Sequence, residues 1–377
     1  MTSTTVNTPV RGAPRVDQIG ALDGIRGFAV GIAVWFHLRV DQMPGGLVAI
    51  SIFFPLSGFL ITRLMLIEYG RTEAVLLGRF WQRRARRLIP AHYVLLFFVT
   101  IVLIVTGTHE GSDWGATQSS IFYFNNWWQL SQSVDYWAQF TSRESPFKHL
   151  WSLSVEEQVY FAWPLVTVAV LKWARRPLLA LGAVALALAA AGVAYGFVIA
   201  GFGHGGATAV YYNTAVRSAE LLVGAALAVL FVARPNVWTS PRSRQVLDVV
   251  AGVCLSAIAF LALSLDESVP RFIADGGMFA VALVTVVVIA AAVRGGTVAA
   301  VLTIPPLRWL GTRCYSLYLW HWPIITLCTT ENSGLTGWWL TSLQIALTLS
   351  ATVLSYWLIE ERFRRARPRR QAGVTTS

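Results

Sequence analysis

Apolar stretches of about twenty residues recur along the whole chain, and few folds can accept that pattern. A helix crossing the hydrocarbon of a bilayer needs roughly 20 apolar residues. About ten segments qualify on that length: residues 19–38, 47–69, 88–107, 150–171, 177–200, 208–233, 246–265, 276–293, 306–328 and 338–359. In lipid every backbone N–H and C=O must be satisfied within the structure, so such segments become helices. Only 13% of the residues are charged and 55% are apolar, whereas a soluble domain is about a quarter charged. The expectation is an all-α polytopic membrane protein. Its largest extramembrane segment, 108–149, carries Trp114, Tyr123, Trp127, Trp128, Tyr136 and Trp137. Such rings settle at a membrane interface, and the same cluster could line a sugar site.

The formal net charge of +11 is explained by where the arginines fall. Arg71, Arg79, Arg83, Arg84, Arg86 and Arg87 follow the second stretch, Lys172, Arg175 and Arg176 the fourth, and Arg234, Arg242 and Arg244 the sixth. Arg294 and Arg308 flank the loop after the eighth. The alternate loops carry Glu110, Asp113, Asp135 and Glu144, then no fixed charge, then Asp266, Glu267 and Asp275, then Glu331. Cytoplasmic loops concentrate Lys and Arg. Both termini are therefore expected in the cytoplasm: a tail 1–18 with Arg11 and Arg15, and a basic tail 362–377 with Arg362, Arg364, Arg365, Arg367, Arg369 and Arg370. An even number of spans follows, and nucleic acid is not needed to account for the charge. The first stretch contains Arg26 and is followed by no small-residue cleavage site, so it reads as a retained helix. Cys254, Cys314 and Cys328 show no CxxC spacing and read as buried free thiols; no metal ligand is assigned.

Ionisable side chains inside such helices are costly, about 2.5 to 3.5 kcal/mol for Arg by insertion scales. Arg26 and His37 share the first stretch at a spacing of eleven, which puts them on one helical face about 16 Å apart. An Arg can hold phosphate or carboxylate by its planar fork, and a neutral His can take a hydroxyl proton. A snorkelling Arg and an interfacial His would fit the same positions. In 51–63, Pro55 is expected to break the helix and Gly58 to leave room beside it, with Ser57 as a polar site residue and Arg63 further along; small residues here could equally serve packing. The run 79–91, with Arg83, Arg84, Arg86 and Arg87, suits a topology anchor, anionic lipid or the phosphates of a nucleotide-like cosubstrate.

Residues 149–160 run from His149 through Glu156, Glu157 and Gln158. Ser152 or Ser154 could cap a helix there, but the carboxylates continue into the span and need a cation or an aqueous cavity. Arg217 and Glu220 can pair with one another. His321, between Trp320 and Trp322, reads as a structural hydrogen-bonding group near the interface.

Taken in order, LDGIRG with His37, GG…FFPLSGFLITR, RRARRLIPA, HLWSLSVEEQVYFAWP, RSAELLVGAALA and RWLGTRCYSLYLWHWPI resemble the acyltransferase-3 family of integral membrane O-acyltransferases. The resemblance covers 19–361, without the C-terminal SGNH-hydrolase-like domain that some relatives carry. It implies a bacterial plasma-membrane enzyme that moves an acyl group, often acetyl from acetyl-CoA as cosubstrate with no bound cofactor, to a hydroxyl of a cell-envelope glycan, glycolipid or glycosylated metabolite. It implies His37, Arg26 and Glu156 as the catalytic set. Arg83, Arg84, Arg86 and Arg87, with Ser57, become donor-binding, and Asp23, Arg63, His149, Arg217, Glu220 and His321 stand as further candidates. With the arginines on the cytoplasmic side and His37 and Glu156 toward the outside, His37 would act as general base or carry the acyl group, and Glu156 would orient an imidazole or bind acceptor hydroxyls. The main rival is a transporter or flippase whose buried Arg, His and Glu bind a substrate that leaves unchanged. A lipid-binding scaffold would leave those residues without a use.

Overall fold

The computed structural model describes residues 19–108, 110–132, 144–201, 206–266 and 268–365. The tail 1–18 with Arg11 and Arg15, and Asp135, Tyr136, Trp137, Glu267, Arg367, Arg369 and Arg370, lie outside the described residues. Every regular element among the described residues is helical. In chain order these are α1 (Gly20–Leu38), α2 (Ile50–Thr72), α3 (Leu77–Val105), α4 (Gly111–Ile121), α5 (Asn125–Ser131), α6 (Trp151–Trp173), α7 (Pro177–Ala200), α8 (Gly206–Tyr212) and α9 (Thr214–Ala233). There follow α10 (Pro241–Ser264), α11 (Val269–Ala274), α12 (Gly277–Arg294), α13 (Thr297–Leu302), α14 (Pro305–Thr312), α15 (Cys314–Leu327), α16 (Thr330–Ser333), α17 (Gly337–Ser355) and α18 (Glu361–Arg365). Eight of them, with flanking turns, are long and apolar enough to cross a membrane: α1, α2, α3, α7, α9, α10, α12 and α17.

Two other expected stretches take different forms. Residues 150–171 are present as α6, whose Glu156, Glu157 and Gln158 lower its hydropathy. Residues 306–328 divide at Arg313 into α14 and α15. The run 208–233 is also not one helix. Asn213 separates α8 from α9, and its Oδ1 accepts from the amides of Ala215 and Val216 at 2.9 and 3.3 Å, satisfying first-turn donors that would otherwise be orphaned. Of the arginines assigned to a loop after the second stretch, Arg71 lies in the last turn of α2 and the other five on α3, which begins at Leu77, because Arg, Leu, Gln and Ala are all good helix formers.

The helices approach most closely where glycines remove side chains. A Cβ on Gly58 would lie 1.8 Å from the carbonyl oxygen of Leu221, and one on Gly224 1.9 Å from that of Pro55. The space beside Gly58 is therefore filled by α9, and the packing use of small residues replaces the expected substrate approach. Nor does Pro55 break α2: a short turn, Gly46–Ala49, has already set the helical path, and the helix continues to Thr72. Proline there forfeits a single bond to the preceding turn. Similar contacts join α1 to α13 and α14, at Gly24 on Leu302 and Gly27 on Leu307.

Burial sorts the layers. The most apolar windows of α2 and α9 are 78% and 67% buried, against 17% and 22% for α10 and α7. The outer helices leave Val253, Phe260, Leu179 and Phe197 exposed, as suits contact with lipid tails that are themselves apolar. Residues 111–131, which form α4 and α5, turn their polar side inward. Asn125, Asn126 and Gln129 are buried, and Trp114, Phe122 and Trp127 are exposed. Ser152 and Ser154 do not cap α6: the first meets the Tyr318 hydroxyl at 2.6 Å, and the second donates to the Leu150 carbonyl at 3.0 Å. The three cysteines are free, but half-buried rather than buried.

Candidate functional site

Two hollows flank α1, one toward each end of it. The first lies at the C-terminal end of α1 and is lined by His37, Lys148, His149, Tyr211, Tyr318 and Trp322. The second, the roomier of the two, is lined by Arg26, Ser57, Arg84, Arg87, Glu156 and Tyr160. Ile50 and Tyr318 line both, so they form the wall between them. The Tyr318 hydroxyl is fixed in that wall by the carbonyl of His149 at 2.8 Å and by Ser152 at 2.6 Å.

In the first hollow, α1 and α15 bring His37 and His321 together. His37 Nδ1 lies 2.9 Å from His321 Nε2, and the rings stack with centroids 5.1 Å apart. His321 Nδ1 lies 2.6 Å from the Tyr318 carbonyl oxygen. A carbonyl only accepts, so neutral His321 carries its hydrogen on Nδ1 and offers a lone pair at Nε2. His37 must then donate from Nδ1, which leaves the lone pair of its Nε2 free. This is the arrangement a general base requires. His149 donates from Nε2 to the Leu319 carbonyl at 3.1 Å and stands edge-on to His321 at 5.6 Å. His321 is fully buried and hydrogen-bonded both to His37 and to the Tyr318 carbonyl.

Lys148 adds a cation beside the histidines, bonded to Glu144 Oε1 at 2.9 Å. Both lie before α6. Burial pulls the Lys148 ammonium down from its ordinary range, with Glu144 acting against that, and pushes the Glu144 carboxyl up, with Lys148 opposing. Each partner keeps the other charged against the cost of removal from water.

In the second hollow the carboxylates and arginines interlock. Glu156 Oε1 accepts from the Ser57 hydroxyl and, at 2.7 Å, from Tyr160. Glu156 faces these groups and not a histidine, so of its two expected roles orienting an imidazole does not fit, and binding acceptor hydroxyls is left open. Arg84 donates to Glu157 Oε1 at 2.9 and 3.1 Å and lies 3.1 Å over the Tyr160 ring. Arg87 Nε lies 3.9 Å from Glu360 Oε1, and Arg26 Nη1 2.8 Å from Asp23 Oδ1. Asp23 thus acts by holding Arg26. The hollow presents three guanidinium groups, those of Arg26, Arg84 and Arg87, able to receive an anion.

The other candidates fall outside. Arg83 is exposed and paired with Glu68 at 3.2 Å, and Arg86, half-buried, lines neither hollow. Arg217 and Glu220 do pair, at 2.5 Å and almost wholly buried, beneath the Tyr211 ring at 5.4 Å from the Arg217 guanidinium. Arg63 is buried along α2, away from both hollows. Sequence reasoning missed Lys148, Tyr160 and Tyr318. The available signals were slight: a lysine directly before His149 in a chain rich in arginine, and tyrosines four after Glu156 and three before His321.

A family model described as an acyltransferase domain, that of the acyltransferase-3 family, matches residues 19–361. The chain belongs to the acyltransferase-3 family. It is 35% identical over 353 residues to the peptidoglycan O-acetyltransferase OatA of Listeria monocytogenes, covering 92% of this chain and 56% of that protein. It is 34% identical over 353 residues to the O-acetyltransferase OatA of Staphylococcus aureus, covering 91% and 57%. The chain thus spans about half the length of the curated relatives it matches. No solved structure matches it. As a member of this family with eight membrane-length helices, it is a multi-pass membrane protein.

Proposed function

We propose that this acyltransferase-3 protein transfers an acyl group, acetyl in the first instance, from acyl-CoA to a hydroxyl of a cell-envelope glycan in the bacterial plasma membrane. The observation that carries the reading is the hydrogen-bond chain from Tyr318 through His321 to His37, which leaves His37 Nε2 as a free base in one hollow. The arginine-lined hollow on the other side of Tyr318 suits the phosphates of the donor. The names of the relatives, which act on peptidoglycan or as O-acetyltransferases, support a glycan hydroxyl as acceptor.

In this mechanism Arg26, Arg84 and Arg87 hold the donor phosphates from the cytoplasmic side, and the pantetheine arm carries the thioester past Tyr318. The acceptor hydroxyl gives its proton to His37 Nε2 as its oxygen bonds to the thioester carbonyl carbon. The tetrahedral intermediate then collapses with cleavage of the C–S bond, and the departing sulfur takes the proton back from the imidazolium. His321 accepts from His37 Nδ1 throughout. General-base assistance of this kind contributes about 10² to 10⁴ in rate.

The test uses the purified chain in proteoliposomes, radiolabelled acetyl-CoA and a soluble glycan fragment. An alkali-labile labelled ester on the glycan is expected, and it should be lost in His37→Ala. Movement of the glycan across the bilayer unchanged, with no ester formed, would establish the transporter reading instead.

A further inference from the structure

A third group of cations lies apart from both hollows, where the later turns of α2 meet α9 and α12 and α10 packs on α12. Arg63 is 8% exposed, and its Nη1 is buried without a hydrogen-bond partner among the described residues. Arg294, at the last turn of α12, likewise has Nε and Nη2 buried and unpartnered. One aromatic pair links the two: Phe59 and Phe231 meet edge to face at 6.0 Å, Arg63 lies 5.7 Å from the Phe59 centroid, and Arg294 lies 4.4 Å from that of Phe231. Arg244 of α10 approaches from the side, its Nη2 3.5 Å from where a Cβ on Gly295 would stand. The like charges of Arg63 and Arg294, and of Arg294 and Arg244, act on one another.

A carboxylate among them would make this an ordinary ion-pair network, and none among the described residues is bonded to these three. Asp248, one turn on from Arg244, is committed to the amides of Thr297 and Val298 at 2.8 and 2.9 Å. Glu68, further along α2, is engaged by Arg83. Arg63 is buried, Arg294 half-buried and Arg244 exposed; a buried guanidinium without an acceptor is costly, and the like charge of its neighbour adds to that cost. Planar donor forks on apolar aromatic faces are suited to phosphate oxygens. We propose that Arg63, Arg294 and Arg244 hold the phosphate group of an anionic ligand, a phospholipid headgroup or a soluble phosphate, at a site separate from the acyl-transfer hollows. Arg83 and Glu68 mark the same end of α2, so the site lies on the membrane face that also bears the arginines of α3.

The experiment measures thermal unfolding of the delipidated full chain in a non-ionic detergent with phosphatidylglycerol or inorganic phosphate as probe. The variants are Arg63→Met, Arg294→Gln and Arg244→Gln; Arg244 is exposed, so its variant is the one least able to disturb folding. Without a probe, Arg63→Met is expected to unfold no lower than wild type, because it removes an uncompensated buried charge. With phosphatidylglycerol the wild type should shift upward, and each variant should need about tenfold more lipid for the same shift. A shift with lipid alone assigns the site to a headgroup, and one with inorganic phosphate as well assigns it to the phosphate itself. No shift with either probe overturns the proposal, as does an equal shift in wild type and all three variants.

Discussion

Replacing His321 with leucine tests whether the two histidines of the first hollow work as one unit. The substitution removes the acceptor 2.9 Å from His37 Nδ1 and the donor to the Tyr318 carbonyl, while an apolar side chain of similar volume fills the position. The Nδ1–H of His37 then has no partner in a buried site. A stranded buried donor costs about 1 to 3 kcal/mol, and His37 can relieve it by moving its hydrogen to Nε2, which removes the lone pair that should meet the acceptor. The expected fall in kcat/KM is the same energy read as rate, about 5- to 150-fold. Removal of His37 itself should cost about 10² to 10⁴. The assay is ester formation from labelled acetyl-CoA by wild type, His37→Ala, His321→Leu and the double variant. If His321 acts only through His37, the double variant is no slower than His37→Ala. His321→Gln, whose side-chain oxygen can accept from Nδ1, should recover part of the loss. Multiplicative losses in the double variant would refute the hydrogen-bond argument, as would a His321→Leu enzyme at wild-type rate.

Three further outcomes follow from the geometry. Arg84→Ala should raise KM for the donor about tenfold, the worth of one charge-assisted contact, while Arg83→Ala, which faces Glu68 and solvent, should stay within about twofold by the same reasoning; equal effects would mean that the second hollow does not receive the donor. Gly58→Ala should force α2 and α9 apart against the Leu221 carbonyl and destabilise by about 3 kcal/mol or more, whereas Gly31→Ala, with open space around it, should be neutral or stabilising in a detergent unfolding assay. The Glu144 carboxyl is pushed up from its ordinary 4.5 by burial. Between 4.5 and that raised value the folded chain therefore holds a proton the unfolded chain has released, and stability falls as pH rises through the window. The difference in unfolding temperature between wild type and Glu144→Gln should grow with pH there, and a flat difference would contradict the burial.

The spans were legible because lipid imposes a single requirement on every backbone group, and the run of apolar residues shows it directly. Interruptions were not: Asn213 and Arg313 look like tolerable polar residues in apolar runs, and only their neighbours decide that the helix stops. Arg26 and His37 were legible as a pair on α1, but the spacing that put them on one face also carries them to different hollows. Helical phase explains the arginines of α3. Adjacent residues differ by about 100° around the axis, so Arg84 turns onto Tyr160 while Arg83 turns away. The partner of His37 was hidden for another reason, since His321 is 284 positions distant and no local pattern can announce that contact. Of the two roles expected of Glu156, orienting an imidazole does not fit because two nearer groups, Ser57 and Tyr160, hold its oxygen.

The wall of Tyr318 and Ile50 has an electrical consequence. Elsewhere the membrane potential falls over about 30 Å of hydrocarbon. Were water to fill the two hollows from opposite faces of the membrane, high dielectric would reach that wall and most of the voltage would drop across the few side chains that separate them. Any charge crossing it exchanges up to about 2.3 kcal/mol with each 100 mV of potential. Turnover that carries a proton past Tyr318 would therefore change speed when liposomes are polarised. Turnover that passes only a neutral acyl group would not.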